Sequence, residues 1–414
     1  MIKACLNLFI LVIVIVSFKM KVAFIHNDKK LGTGAHYMNE LMAIKLREKG
    51  VGVKNFYPRT SLIDPPIHLK GFSNILFFYS LVEKKDEIMR FNLVQGTTYT
   101  PLPFLAFNIP VISHFGSTTR GFLESTPQAK DLLSDTRRLW YRLKKDGILP
   151  ELNVKSRKPM RDIADMEEYV ARRADAVIAA SENVKKELIE SGVNPDKISV
   201  IHNAIEDYWF EKSLKPIVSE PAIVFLGRLG GDAFTLKLKG LDRLVHLYSK
   251  FPKVKKITIC LISNKKLKDW LRVWFDRHQM FVNFKKDLIP NVMDAQAGSV
   301  LFIPSRYEGF SLSLIEGMSQ GLIPVSYPVG VAPEIIINGE NGFIVSSQAE
   351  AVSVIENILK DETLRRKLSE SAYQTSLKFR SDIIVEKLLN LYSRTLRGYA
   401  PPAKRAILKE DSHR

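Results

Sequence analysis

Two glutamates stand eight residues apart in the stretch Pro304-Ser305-Arg306-Tyr307-Glu308-Gly309-Phe310-Ser311-Leu312-Ser313-Leu314-Ile315-Glu316-Gly317-Met318. An apolar run, Val300-Leu301-Phe302-Ile303, comes just before it, so the order reads strand, loop, helix. Glu308 falls in the loop and Glu316 about one turn into the helix. Ser311 is the expected N-cap. The amides of Leu312 and Ser313 then face outward at the positive end of the helix dipole, an end suited to a diphosphate. Glu308 can accept hydrogen bonds from sugar hydroxyls beside that phosphate, and Glu316 from those of a ribose. Either glutamate alone would read as an ordinary surface acid.

Cations occupy a comparable place earlier in the chain. Ile223-Val224-Phe225-Leu226-Gly227-Arg228 is a strand that ends in Gly-Arg, and Lys239-Gly240-Leu241-Asp242 opens a helix. Arg228 and Lys239 at a strand's carboxyl end could neutralise a diphosphate as it leaves. Lys237 competes with Lys239 for this role; Lys239 is preferred because it directly precedes the helix start. Leu31-Gly32-Thr33-Gly34 follows the first strand, and its glycines would let backbone approach a ligand. As a dinucleotide fingerprint it fails. Tyr37 stands where the third glycine belongs, and Phe56-Tyr57-Pro58-Arg59 supplies no ribose-binding acid, so an NAD enzyme is rejected. Val111-Ile112-Ser113-His114 ends another strand at the same sheet edge, with Arg120 just beyond. The sequence contains no His-x-x-Glu-His, no cysteine cluster and no Asp-x-Asp. Charge neutralisation then falls to Arg228, Lys239 and the helix amides, so neither metal nor cofactor is expected.

The elements that must position these residues alternate. Apolar runs of strand length at 21–26, 53–57, 93–96, 110–114, 176–180 and 198–202 are separated by helical stretches that include 35–49, 160–173 and 182–191. The pattern restarts with strands at 222–227, 257–262, 281–284, 300–304 and 323–326, and helices at 241–250, 268–277 and 312–319. Parallel sheets covered by helices read this way. The expected fold class is therefore α/β, with two Rossmann-like, doubly wound parallel-sheet domains facing across a cleft. A segment without periodicity, 204–221, holds Pro216 and Pro221 and marks the boundary. The domains are placed at 20–205 and 206–379, with a disordered tail expected over 397–414.

Composition narrows the partners. Cys5 and Cys260 are the only cysteines, which excludes a disulfide framework. The net charge of +17 is spread over both halves rather than gathered on one domain, which argues against nucleic acid. Base is densest from Arg120 to Arg161, where Arg137-Arg138-Leu139-Trp140-Tyr141-Arg142-Leu143-Lys144-Lys145 mixes cations with aromatics. This is either a surface for anionic lipid or a solvated helix. Ala4 to Phe18 is nearly all apolar but short for a membrane span. Two readings stand for residues 1–19: an upstream translation start with Met20 the natural beginning, which the absence of a linker before the first strand favours, or a membrane anchor.

The Glu308-to-Glu316 segment resembles the Glu-x7-Glu motif of glycosyltransferase family 4, a retaining family with the GT-B fold. Pro333-Glu334-Ile335-Ile336, Asn338-Gly339-Glu340-Asn341-Gly342 and the Ala174–Glu182 and Lys197–Ala204 segments are similar to its other signatures. The link Gly230–Leu238 is longer than is usual there. The resemblance implies Arg228 and Lys239 as the phosphate-binding pair and Gly34 in a loop near the donor phosphate. It places His114 in the acceptor site as a catalytic candidate beside Glu308, with Arg120 available for an acceptor phosphate. It also implies that residues 380–396 cross back to the first domain. The expected reaction moves a hexose-type sugar from a nucleotide-sugar, by default a UDP-sugar, to a glycan or lipid-linked acceptor in cell-surface glycan biosynthesis. The expected setting is the cytoplasm, with peripheral contact at the inner membrane face. The rival readings are a catalytically silent GT-B binding subunit and a nucleotide-sugar epimerase.

Overall fold

The computed structural model describes residues 20–27, 34–58, 77–132, 134–153, 157–211 and 214–400. The residues expected to form an N-terminal extension, and 401–414 of the tail, lie outside these. Among the described residues twelve strands form two six-stranded sheets with every pairing parallel. The first holds β1 (Lys21–Ile25), β2 (Gly52–Phe56), β3 (Leu93–Thr97), β4 (Val111–Phe115), β5 (Ala176–Ala179) and β6 (Ile198–Val200), in the order β2-β1-β3-β4-β5-β6. The second holds β7 (Ala222–Gly230), β8 (Lys255–Ile262), β9 (His278–Val282), β10 (Val300–Ile303), β11 (Ile323–Ser326) and β12 (Phe343–Ile344), in the order β12-β11-β10-β7-β8-β9. The second order is that of dinucleotide-binding sheets, and the first that of flavodoxin-like ones. Strand order reverses between β1 and β3 and again between β7 and β10. Open sheets of this kind bind ligands at such reversals, outside the carboxyl ends of the strands.

The main helices are α1 (Gly34–Glu48), α2 (Thr119–Ser125), α3 (Ser134–Lys145), α4 (Lys158–Arg173), α5 (Glu182–Glu190), α6 (Ala233–Leu238), α7 (Leu241–Lys250), α8 (Lys265–Trp274), α9 (Leu312–Met318), α10 (Gln348–Lys360), α11 (Glu362–Ser376) and α12 (Ser381–Gly398). Side chains alternate across a strand, so β1 feeds two cores. Val22 and Phe24 join the cluster beneath α1 and α12, while Ala23 and Ile25 face the cluster on the other side. The last helix returns to the first domain: Ile384, Leu388 and Tyr392 are buried against Met38, Met42 and Ile178, and Tyr392 Oη donates to Gln95 Oε1 at 2.7 Å.

Three sequence expectations shift. Asn264 caps α8 by accepting from the Leu267 amide, which starts that helix at Lys265 and pulls β9 forward to His278. The tail expected to be disordered from Arg397 is helical to Gly398. The two-residue β12 was too short to read as a strand; it exists because it pairs with Val325 and Ser326.

The basic, aromatic stretch around Trp140 is the largest departure. Neither a lipid surface nor a solvated helix describes its inner face. Trp140, Leu143, Leu149 and Leu152 are buried in the same cluster as the second-domain core. Lys266 Nζ donates to Gly147 O at 3.1 Å and Asn264 Nδ2 to Ile148 O at 2.9 Å. Arg142 lies 4.2 Å over the Trp274 ring. Periodicity within one segment cannot reveal that its apolar stripe is reserved for another domain. Trp140→Ala should lower stability by about 3–5 kcal/mol, the usual cost of truncating a buried tryptophan. Urea denaturation would measure this, and a loss under 1 kcal/mol would contradict the burial described.

Candidate active site

The loop from Pro304 to Ser311 leaves β10 at the strand reversal and is held from both sides. On the second domain, Arg306 makes a two-pronged bond to the buried Asp242, at 2.8 and 2.6 Å. Arg243 donates to the carbonyls of Pro304 and Ser305, each at 3.1 Å, and stacks 3.7 Å over the Tyr327 ring. Gly240 sits between α6 and α7 at φ +67°, and a Cβ there would come within 2.0 Å of Pro304 O, so only glycine allows the contact. On the first domain, Ser181 Oγ donates to Gly309 O at 2.6 Å. Tyr307 Oη accepts from the Thr118 amide at 3.0 Å and donates to Glu187 at 2.8 Å. A Cβ on Gly309 would meet Gly116 O at 1.9 Å, so backbone touches backbone across the cleft. Glu334 completes the contact, accepting from the Glu182 amide at 2.8 Å and lying 2.9 Å from His202 Nε2.

Within this frame Lys239 Nζ donates to Glu308 Oε1 at 2.6 Å, and Ser305 Oγ donates to the same oxygen at 2.7 Å. Both partners are largely buried, so the pair is shielded from solvent. Arg228 is exposed near the end of β7, with no ion-pair partner among the described residues. Leu312 and Ser313 open α9. Ser311 does not cap that helix as expected: it sits at φ +82° and its side chain makes no cap hydrogen bond. A left-handed serine is a strained position of the sort found at ligand sites, and it leaves the first helical amides uncapped.

Lys237 and Lys239 have different fates. Lys237 is buried, and its Nζ donates to Pro127 O at 3.2 Å, Leu152 O at 2.7 Å and Asn153 Oδ1 at 3.0 Å. Its three protons have three neutral acceptors on the first-domain segment. Burial, with Arg157 and Arg306 adding repulsion, pulls its pKa down to about 8. Lys237 therefore ties the domains together, and Lys239 keeps company with Glu308.

Glu316 is almost fully buried and meets a residue that sequence reasoning missed. Lys286 Nζ lies 3.1 Å from Glu316 and 2.6 Å from Glu206, and 4.6 Å from the Tyr37 ring centroid. Lys286 follows β9 in a one-turn 3-10 helix, Lys286–Leu288, and nothing local distinguishes it from its neighbour Lys285. Gly34 is the first residue of α1; Gly32 and Thr33 lie outside the described residues.

His114 is buried on β4, with Nε2 lacking a hydrogen-bond partner. Burial takes its pKa down to about 4, outweighing an interaction with Asn203 that raises it. Arg120 departs from its expected role. Its guanidinium is bonded to Glu168 and lies 3.2 Å from Asp165. It lines a cavity of about 460 Å³ together with Glu124, Glu167, Glu168, Glu187 and Glu190. Glu167 is pushed up to about 7, mainly by burial. So acidic a setting repels a phosphate.

Two open parallel sheets with a loop of one seated on the other are the architecture of GT-B glycosyltransferases. The chain belongs to glycosyltransferase family 4: residues 47–207 match the family "Glycosyltransferase Family 4" and residues 210–375 match "Glycosyl transferases group 1". Sucrose-phosphate synthase from Thermosynechococcus elongatus superposes with a TM-score of 0.69 at 16% identity, over 92% of this chain and all of that one. Anabaena HepE in complex with UDP-glucose gives 0.62 at 17% identity, over 91% of this chain and all of the other. The capsular polysaccharide biosynthesis glycosyltransferase CapM of Staphylococcus aureus is 25% identical over 256 residues, 56% of this chain and 65% of CapM. The chain spans less than two thirds of the length of the curated relatives it matches.

His114 remains neutral in the folded state until about pH 4, whereas the unfolded chain takes up that proton near 6.5. The unfolded state binds more protons in this window, so stability falls as pH drops through it. Between pH 6.5 and 4 the wild type should lose about 3 kcal/mol relative to His114→Asn, since one pKa unit is worth about 1.4 kcal/mol. Urea denaturation of both proteins across this range provides the check; parallel curves would contradict it. Comparing the two cancels the opposite contribution of Glu167, whose raised pKa stabilises the fold as pH falls.

Proposed function

We propose that this protein is a retaining, metal-independent glycosyltransferase that moves a hexose-type sugar from a nucleoside diphosphate donor to a glycan or lipid-linked acceptor. The observation that carries the reading is the Lys239–Glu308 pair, at the β7/β10 reversal where Arg228 has no ion-pair partner among the described residues and no side chain caps α9. Arg228, Lys239 and those amides neutralise the diphosphate. On donor binding Lys239 turns toward phosphate and frees Glu308 for the sugar hydroxyls, while Glu316 takes those of the ribose. His114, neutral at working pH, lines the acceptor side as a hydrogen-bonding group. An acceptor phosphate at Arg120 forms no part of the reading. UDP-glucose held by HepE supports a UDP-sugar donor, and CapM supports a role in polysaccharide biosynthesis.

The sugar–phosphate bond breaks and the acceptor hydroxyl bonds to the anomeric carbon from the same face. Its proton passes to the departing phosphate oxygen. Exclusion of water by the closed cleft favours transfer over hydrolysis. The setting is the cytoplasm, where such donors are made, at the inner membrane face. Arg138, Tyr141, Lys144 and Lys145 of α3 and Lys265, Lys266 and Arg272 of α8 are exposed on adjoining helices, a basic face suited to anionic lipid.

A panel of UDP, ADP and GDP, and their glucose conjugates, tests the donor by thermal shift; ligand at a hundred times its Kd stabilises by about 2.7 kcal/mol. No stabilisation by any of them would refute the donor site. With the true substrates, Arg228→Ala and Glu316→Gln should each lower turnover about 10²-fold, the scale for losing one electrostatic partner. Wild-type rates in both would refute the assignment. EDTA should leave the rate unchanged, and strict dependence on added metal would refute the charge scheme.

A further inference from the structure

We propose that Lys286, together with Glu206, positions Glu316 as the carboxylate that receives the donor's ribose hydroxyls. The proposal rests on the donor site described above and adds two residues that the motif does not contain.

The cluster is built from three parts of the molecule. Glu316 comes from α9, Lys286 from the turn after β9, and Glu206 from the segment joining the two domains. The Lys286 ammonium lies 2.6 Å from Glu206 and 3.1 Å from Glu316, and the Tyr37 ring of α1 closes the third side at 4.6 Å. All three charged side chains are largely buried, with Glu316 at 5% exposure. Two carboxylates share one ammonium. Glu206 Oε2 is buried with no hydrogen-bond partner among the described residues, and Glu316 Oε1 has the Lys286 ammonium 3.1 Å away. Buried carboxylate oxygens left open in this way suit hydroxyl donors, and a ribose diol offers two.

The charge arrangement explains why Lys286 is needed. Burial pushes the Glu316 pKa up, Lys286 opposes the rise and Glu206 adds to it. Burial also works against the charge on Lys286, but Glu316 and Glu206 outweigh it and hold the amine protonated. Tyr208 is the other titratable neighbour; its phenol is raised by burial and by both carboxylates, so it stays neutral. A protonated carboxyl gives up part of its acceptor capacity to its own O–H. Without Lys286, Glu316 would face Glu206 unshielded in a buried site and would take up a proton. Lys286 counters that rise in pKa and fixes the carboxylate in direction.

The test uses the full-length protein, with UDP and 2′,3′-dideoxy-UDP as probes, titrated by calorimetry from pH 6 to 9. Subtracting one probe from the other cancels the phosphate's own titration. In the wild type UDP should bind about tenfold tighter than the dideoxy probe, the scale of one hydrogen bond to a charged group. Lys286→Met should weaken that preference at the acid end of the range and regain it as pH rises and Glu316 ionises. Adding Glu206→Gln to Lys286→Met should restore the preference near neutrality, because the site again carries a single negative charge. Lys286→Arg should retain it. The proposal is overturned if Lys286→Met keeps the wild-type preference and pH profile, or if the second substitution restores nothing. Should Lys286→Met fail to fold, Glu206→Gln alone decides, with the titration carried below pH 6: it should move the loss of preference on acidification to lower pH, and an unmoved profile overturns the idea. If the wild type binds none of UDP, ADP and GDP, the donor reading itself fails and this inference falls with it. If the wild type binds but the variants behave alike, only this inference fails.

Discussion

A loop of eight residues, Pro304 to Ser311, must satisfy two domains at once, and the rest of the cleft is arranged around that requirement. Arg243 holds its backbone carbonyls, its own Arg306 side chain grips Asp242 of the second domain, and Gly309 is pressed against the first. Contact this close leaves no room for side-chain adjustment, so the loop's place is set by rigid neighbours. The Asp242–Arg306 bond is buried and bidentate, the geometry in which an ion pair gives direction rather than net stability. Glu308 inherits its position from these contacts, and Lys239 inherits its own from Gly240.

The charges of the cleft follow a common pattern. Each buried or half-buried cation has a named partner: Lys237 has carbonyls, Lys239 a carboxylate and Lys286 two carboxylates. Arg228 is exposed and has no ion-pair partner among the described residues. An anion arriving here meets one ready guanidinium, one ammonium that must exchange partners, and a helix end without a cap.

Much of the fold was legible in the sequence, because parallel strands buried on both faces appear as unbroken apolar runs. Val300–Ile303 and Ala176–Ala179 are such runs. The candidate site was legible only where chemistry and local structure coincide, as with Glu308, Glu316 and the Gly-Arg near the end of β7. Lys286 was invisible: its meaning comes from Glu206, eighty residues earlier, and from Tyr37 on another domain. Ser311 misled because a serine before a helix is usually a cap, whereas this one is left-handed and its side chain makes no cap hydrogen bond. Arg120 misled because its carboxylate partners lie on α4, outside the local sequence window.

The segment from Pro127 to Asn153 belongs to the first half of the chain but is fastened to the second sheet by a buried lysine and a buried indole. The seam along which the lobes could part therefore does not coincide with the covalent joint near Glu206. Spreading the sheets would either drag this segment along, bending the chain on both sides of it, or strip Lys237 of all its acceptors in one step. A lobe that carries its neighbour's strap opens about several joints rather than a single hinge.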